Sequence, residues 1–125
     1  LGGEWYQYGF GPSSDMVKFC NSTKTKMTLD ICHAYLWCNL NHQSLTDYIK
    51  EVYSIISHIH ISDASGINGE GLQIYQGEID FKSCFEELIN LDFSWVTEVW
   101  SGHLNGGLQS YNALQLLEKH YNHIL

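Results

Sequence analysis

The sequence contains no arginine and few cationic side chains of any kind. Six lysines stand against fourteen aspartates and glutamates, which gives a formal net charge of −8 at pH 7 over 125 residues. Such a charge repels the phosphates of nucleic acids and the surface of anionic membranes, so we expect the chain to bind neither. Without arginine, the chain also lacks the side chain that grips phosphate in a bidentate manner, which disfavours a phosphorylated ligand.

Long apolar runs and paired cysteines are missing as well. The chain has no stretch of about 18 apolar residues and no basic start followed by an apolar run, so we expect neither a membrane span nor a signal peptide. The four cysteines show no CxxC pair and no zinc-finger spacing; they are Cys20, Cys32, Cys38 and Cys84. We therefore expect reduced, mostly buried thiols and a cytoplasmic protein.

What is present is enough apolar material for one domain, in which strands and helices alternate. Hydrophobic residues make up 44% of the chain, and we predict a single partial domain over residues 1–125. The predicted strands are 26–32, 58–62 and 94–100, after a strand fragment at 1–4, and the predicted helices are 13–20, 45–56, 81–89 and 108–121. Ser44 and Asp80 are the expected caps of the second and third helices. This alternation predicts an α/β fold with a parallel sheet and right-handed crossovers.

A glycine-bearing loop is predicted from Asp63 to Gly77, between the second of the internal strands and the third helix. Loops of this length inside a compact domain are usually functional or disordered. Two acidic residues of the loop, Asp63 and Glu70, are candidates for ligand contact, although an exposed acid in a loop more often faces solvent.

Four side chains that can bind a metal ion stand at or near the carboxyl ends of predicted strands. Glu4, Asp30, His60 and Glu98 are separated by 26, 30 and 38 residues, close to the length of one βα unit. In a closed parallel barrel such strand ends converge on one mouth. Three carboxylates and one imidazole suit Mn²⁺, Mg²⁺ or Co²⁺, with Zn²⁺ as an alternative. Each acid taken singly can also be a solvated strand end.

Four motifs, in this order along the chain, resemble one protein family. They are LDICHAY at 29–35, HIHISD at 58–63, QGEIDF at 76–81 and TEVW at 97–100. The order is that of the sugar isomerases and epimerases with a xylose-isomerase-like TIM barrel. GEWYQYGFG at 3–11 is similar to the segment that brings the first glutamate ligand of that family. The runs GEGLQIYQGEIDF and EVWSGHLNGG also resemble a barrel domain appended to some N-acetylneuraminate-synthase-like proteins.

This resemblance implies a site and a reaction. Glu4, Asp30, His60 and Glu98 would bind one divalent ion, and Glu4 and Glu98 would move a proton through an enediolate of a neutral or amino sugar. His33 would orient an oxygen of the substrate. Further candidates for substrate contact are Trp5, Trp100, His103 and Asp63.

The chain is short for a complete barrel, which needs eight strands and about 250 residues. Here about four βα units are predicted, so we expect the C-terminal half of a TIM barrel. Because open strand edges are avoided, a missing N-terminal half, a further chain or a second copy should complete it. The alternatives to a sugar isomerase are a dehydratase or lyase on the same scaffold, and an inactive half-barrel fragment or partner subunit. Barrel-type apurinic endonucleases are disfavoured by the charge of −8.

Overall fold

The computed structural model of the chain describes residues 11–122, and the predicted strand fragment at 1–4 lies outside that range. Helices and strands alternate through most of it, as the sequence predicts. The elements in chain order are α1 (Ser13–Thr23), β1 (Met27–Asp30), α2 (Ile31–Leu40), α3 (Leu45–Val52), β2 (Ile56–Ile61), β3 (Asp63–Ser65), β4 (Gly69–Leu72), α4 (Phe81–Glu86), β5 (Ser94–Thr97) and α5 (Leu108–Tyr121).

The central sheet has the strand order β1-β2-β5, and both pairings are parallel. Asp30 lies opposite His60, and His60 lies opposite Val96. Because successive side chains of a strand point to opposite faces, Ile59 and Ile61 are buried on one face while His60 lies on the other. The predicted α/β class with a parallel sheet is therefore confirmed, and one face of the sheet carries the polar residues.

Two helix starts occur where the capping residues predict them. The Ser44 hydroxyl accepts a hydrogen bond from the backbone N–H of Asp47, which starts α3. The Asp80 carboxylate accepts one from the backbone N–H of Ser83, which starts α4. In both cases a short polar side chain satisfies an amide that the first helical turn leaves without a partner.

The helix α2 was not predicted, and the prediction of a strand over 26–32 was wrong at its end. β1 stops at Asp30, whose carboxylate accepts the backbone N–H of His33 and so caps a helix that begins at Ile31. This helix buries six of its ten residues. A helix that is apolar almost all round shows no period of 3.6 residues, so residues 33–40 were assigned to no element and residues 31 and 32 to the preceding strand.

The segment predicted as a loop from Asp63 to Gly77 contains a hairpin. Its strands β3 and β4 pair antiparallel, with Ser65 opposite Gly69. The hairpin packs against α2. Asp63 ties down the rest of the segment, because its buried carboxylate accepts hydrogen bonds from three backbone N–H groups. The segment is thus ordered by the hydrogen bonds of Asp63, a residue that the sequence analysis predicted as a possible ligand contact.

The core lies between the sheet and the helices, and the four cysteines contribute to it. All four lie within residues 11–122 and are buried, free thiols, as predicted. α4 ends at Glu86, three residues earlier than predicted, and Ile89 beyond it is exposed. None of the helices between residues 11 and 122 combines the length and the apolar character needed to cross a membrane.

Candidate metal centre

Three of the four predicted metal ligands meet at the carboxyl ends of the parallel strands. Asp30 ends β1, His60 is the penultimate residue of β2, and Glu98 follows β5 directly. The backbone N–H of Glu98 donates to the carbonyl of Ile61 at 2.9 Å, which extends the parallel pairing to this predicted ligand. One candidate ligand atom from each residue lies within 4.8 Å of the other two. The fourth predicted ligand, Glu4, lies outside the described residues.

His60 and Glu98 contact each other. His60 Nδ1 lies 2.6 Å from Glu98 Oε2, and because a carboxylate only accepts, the proton of this hydrogen bond is on the imidazole. His58 stands beside this pair, with its ring edge-on to that of His60 at a centroid distance of 5.2 Å and its Nδ1 2.7 Å from Ser94 Oγ. The side chains of His60 and Glu98 are 34% and 57% exposed, so both are accessible to an ion from solution.

Asp30 and His33 form a second pair next to the first. Asp30 Oδ1 accepts the backbone N–H of His33 at 3.0 Å, and Asp30 Oδ2 lies 2.7 Å from His33 Nδ1. His33 Nε2 lies 3.2 Å from Oε2 of Glu70, on the hairpin strand β4. The hydrogen bond with Asp30, helped by Glu70, raises the pKa of His33 to about 9 although partial burial opposes it. Both ring nitrogens therefore act as donors to carboxylates.

Asp30, Glu98, His33 and Glu70 line one cleft of about 380 Å³, whose wall also includes Trp100 and His103 but not His60. That volume is at the lower end of the range for small-molecule sites. Acidic and imidazole groups occupy one part of the wall, and an indole occupies another. The cleft thus combines hydrogen-bonding groups, which suit the hydroxyls of a ligand, with an aromatic surface, which suits its C–H groups.

Trp100 and His103, which were predicted as substrate contacts, both lie on the wall of this cleft. The Trp100 side chain is 65% exposed and lies against Gly71, whose carbonyl accepts the backbone N–H of Trp100 at 2.8 Å. Asp63, predicted in the same role, is 1% exposed, is bonded to backbone amides and is outside the cleft lining. The buried carboxylate of Asp63 instead accepts hydrogen bonds from backbone N–H groups of the segment around the hairpin. Trp5 lies outside the described residues.

Glu70 lines the cleft but was not among the site residues predicted from the sequence. It was expected to face solvent, yet its side chain is only 22% exposed and contacts His33. The local signal was available in the sequence, because Glu70 stands between Gly69 and Gly71, and such a pair of glycines permits close approach of the backbone to another element. The contact between Glu70 and His33 could not be predicted, because it depends on the hairpin, which the sequence analysis did not predict.

The donor set fits a hard or borderline divalent cation. Two carboxylates and one imidazole within reach of a common point suit an ion such as Mn²⁺ or Mg²⁺. Cys32 also lines the cleft, but burial raises the pKa of its thiol to about 11, so it is not a thiolate at neutral pH. A thiolate-rich zinc centre is therefore a poor fit to the described residues.

The comparisons with known proteins agree with this architecture. A family model described as a xylose isomerase-like TIM barrel matches residues 3–120, nearly the whole chain. No curated protein sequence matches the chain. In TIM barrels the functional side chains stand at the carboxyl ends of parallel strands, which is where Asp30, His60 and Glu98 converge. The chain belongs to the family with the xylose isomerase-like TIM barrel.

Proposed function

We propose that the chain is the metal-binding part of a sugar isomerase or epimerase that moves a proton on a carbon next to a carbonyl group. The observation that carries the proposal is the convergence of Asp30, His60 and Glu98 within 4.8 Å, in a family that includes sugar isomerases and epimerases. The free thiols, all buried, are compatible with a cytoplasmic enzyme.

Asp30, His60 and Glu98 would hold the cation, with Glu4 as the fourth predicted ligand. Mn²⁺, Mg²⁺ and Co²⁺ are the ions that this oxygen-rich set favours, and Zn²⁺ is the alternative. When bound, such an ion polarises a carbonyl oxygen and stabilises the negative charge that develops on it. The sheet fixes the positions of these ligands, since Asp30 ends β1, His60 lies within β2 and Glu98 directly follows β5.

The side chains of the cleft divide the remaining work. Glu98 is the most exposed of the three ligands and takes the proton from carbon, and Glu4 is the predicted second carboxylate for its return. His33 donates its ring N–H groups to Asp30 and Glu70, so its predicted contact with a substrate oxygen would share one of these N–H groups. Trp100 offers its indole to the C–H face of the sugar, as Trp5 is predicted to do from the segment before Gly11, and His103 contacts a hydroxyl.

The charges of the cleft favour a neutral or amino sugar over a sugar phosphate. Asp30, Glu70 and Glu98 line the cleft, whereas no lysine between residues 11 and 122 does so, and the sequence has no arginine. A phosphate group would meet three carboxylates, and the protonated His33 is already bonded to two of them, which opposes its binding. A hydroxyl or a protonated amine meets acceptors instead.

The other strands of the barrel must come from elsewhere in the same polypeptide, from another chain or from a second copy. β1 and β5 form the edges of the described three-stranded sheet, and Val96 of β5 is 43% exposed. Edges of this kind are normally paired or covered. Light scattering of the purified chain separates a dimer, which supports pairing between copies, from a monomer, which leaves another segment of the polypeptide or another chain as the source.

The decisive experiment is anomalous scattering from crystals soaked in Mn²⁺. A peak bounded by Asp30, His60 and Glu98 supports the proposal, and the absence of a peak there at saturating Mn²⁺ refutes it. Turnover of a panel of neutral and amino sugars then separates two reactions: a product of equal mass indicates isomerisation or epimerisation, and loss of water indicates a dehydratase. An inactive half barrel would show neither product.

A further inference from the structure

A chain of hydrogen bonds runs from the hairpin to the metal centre. Glu70 Oε2 lies 3.2 Å from His33 Nε2, and His33 Nδ1 lies 2.7 Å from Asp30 Oδ2. The imidazole is therefore held from opposite sides by two carboxylates, of which only Asp30 belongs to the proposed ligand set. We propose that Glu70 is a positioning residue, which fixes the His33 ring so that His33 holds the Asp30 carboxylate in the orientation that binds the cation.

Glu70 matters because Nδ1 alone does not fix the ring. The torsion of a histidine about its Cβ–Cγ bond is broad, so a ring held at one nitrogen can still swing. A second hydrogen bond at Nε2 removes that freedom. The Glu70 and Asp30 side chains are 22% and 23% exposed, whereas His33 is 51% exposed, so the two acids are the better enclosed members of the trio.

The hairpin is anchored firmly enough to deliver Glu70 to this place. Glu78 accepts hydrogen bonds from the backbone N–H of Gly66 at 2.8 Å and from the hydroxyl of Tyr35 at 2.9 Å. Asn39 donates to the carbonyl of Gly66 at 2.7 Å. Tyr35 and Asn39 belong to α2, the helix that also carries His33. The two partners of the Glu70–His33 contact therefore sit on elements that are tied to each other at the hairpin turn.

This inference rests on the proposed function, because it assumes that Asp30 is a ligand. Partners that orient a metal ligand through hydrogen bonds change metal affinity by about 10–100-fold when they are removed. Glu70 acts through one intervening side chain, so we expect the lower end of that range. The Glu70→Ala variant should bind Mn²⁺ about tenfold more weakly than the wild-type chain.

The test is titration calorimetry with Mn²⁺ alone on the full chain and four variants. Glu70→Gln keeps an oxygen that can accept from His33 Nε2, so it should bind Mn²⁺ within about threefold of wild type and thereby rescue most of the loss in Glu70→Ala. Glu78→Gln removes the same charge from a residue that binds the hairpin turn, keeps an oxygen that can accept from Gly66 and Tyr35, and leaves the contact with His33 in place. Its affinity should therefore match that of wild type. Asp30→Asn should lose Mn²⁺ binding altogether.

A second measurement needs no metal. In long-range ¹H–¹⁵N spectra, the Nε2–H resonance of His33 should be protected from exchange in the wild-type chain and in Glu70→Gln, and lost in Glu70→Ala. This readout reports the contact itself, so it separates loss of positioning from a general loss of the fold.

The possible results are distinguishable. If wild type binds Mn²⁺, Asp30→Asn does not, and Glu70→Ala binds as wild type does, the role of Glu70 is refuted and the metal site stands. Equal losses in Glu70→Ala and Glu78→Gln also refute it, because charge rather than the contact with His33 would then be responsible. If wild type fails to bind Mn²⁺, or if Asp30→Asn binds as well as wild type, the proposed function is refuted and this inference with it.

Discussion

Replacing Gly71 with alanine tests how the hairpin and Trp100 share the wall of the cleft. Gly71 has a φ of +69°, and a Cβ at this position would overlap the indole ring of Trp100. Gly66, in the turn of the same hairpin, has a φ of +57° but no atom within 4 Å of its would-be Cβ. The two glycines therefore form a matched pair: both carry the backbone penalty of a positive φ, and only Gly71 carries the overlap.

The expected magnitudes follow from these two terms. An alanine in the left-handed region costs about 1–2 kcal/mol, and this term applies to both Gly66→Ala and Gly71→Ala. The smaller entropy of the unfolded chain after a Gly→Ala change is common to both and cancels. Overlap with packed atoms costs a further 1–3 kcal/mol or so. Because the Trp100 side chain is 65% exposed and can rotate outward, we expect a difference between the variants of about 1 kcal/mol.

Urea unfolding followed by circular dichroism measures the free energy of unfolding of each variant. The single variant Trp100→Ala and the double variant Gly71→Ala/Trp100→Ala complete a double-mutant cycle. In that cycle, removal of the indole should relieve the extra loss in Gly71→Ala and leave a destabilisation equal to that of Gly66→Ala. If the two single variants are equally stable, or if Trp100→Ala gives no relief, Trp100 does not pack on Gly71 as described.

The remaining predictions concern the proposed base and the buried thiols. Glu98→Gln should lower kcat by about 10²–10⁴-fold on any sugar that the wild-type chain converts, with an unchanged melting temperature, while Glu86→Gln, an exposed acid outside the cleft, should leave kcat unaltered. Burial raises the pKa of Cys38 and Cys84 from 9.0 to about 12, so neither should react with a disulfide reagent at pH 8 until urea unfolds the chain. The folded state holds these protons more tightly than the unfolded state, hence their contribution to stability is complete below pH 9 and is lost as the pH rises toward 12. Cys84→Ala should flatten this decline in the free energy of unfolding.

The sequence predicted those features of the fold that arise from repetition. Strand and helix recur at the length of a βα unit, so the parallel order of β1, β2 and β5 followed from spacing, and the same spacing is why Asp30, His60 and Glu98 lie together. The caps of the second and third predicted helices, Ser44 and Asp80, depend only on residues three positions apart and were also predicted. Local chemistry and a regular period were sufficient for these features.

The parts that the sequence did not predict depend on contacts between distant residues. The hairpin has no run of alternating apolar residues, and it is held by Asp63 and by Glu78, whose partners lie up to 43 positions away. A buried aspartate that accepts three backbone hydrogen bonds looks the same in the sequence as one that contacts a ligand. For the same reason Asp63 was named as a substrate contact and Glu70 was not, whereas the structure buries Asp63 and places Glu70 on the wall of the cleft.

The division between strand ends and hairpin suggests how the two parts of the site contribute. Asp30, His60 and Glu98 are fixed by the sheet, which positions ligands to within a fraction of an ångström because each backbone is paired with its neighbour. Glu70 and Gly71, against which Trp100 lies, belong to the hairpin, which pairs with none of the sheet strands in residues 11–122 and is held at its turn by Asn39 of α2 and by Glu78. Under the proposed function, changes at Gly71 and Trp100 should therefore alter which sugar binds with little effect on the fold of the sheet, whereas changes at the strand ends should remove the chemistry for every substrate.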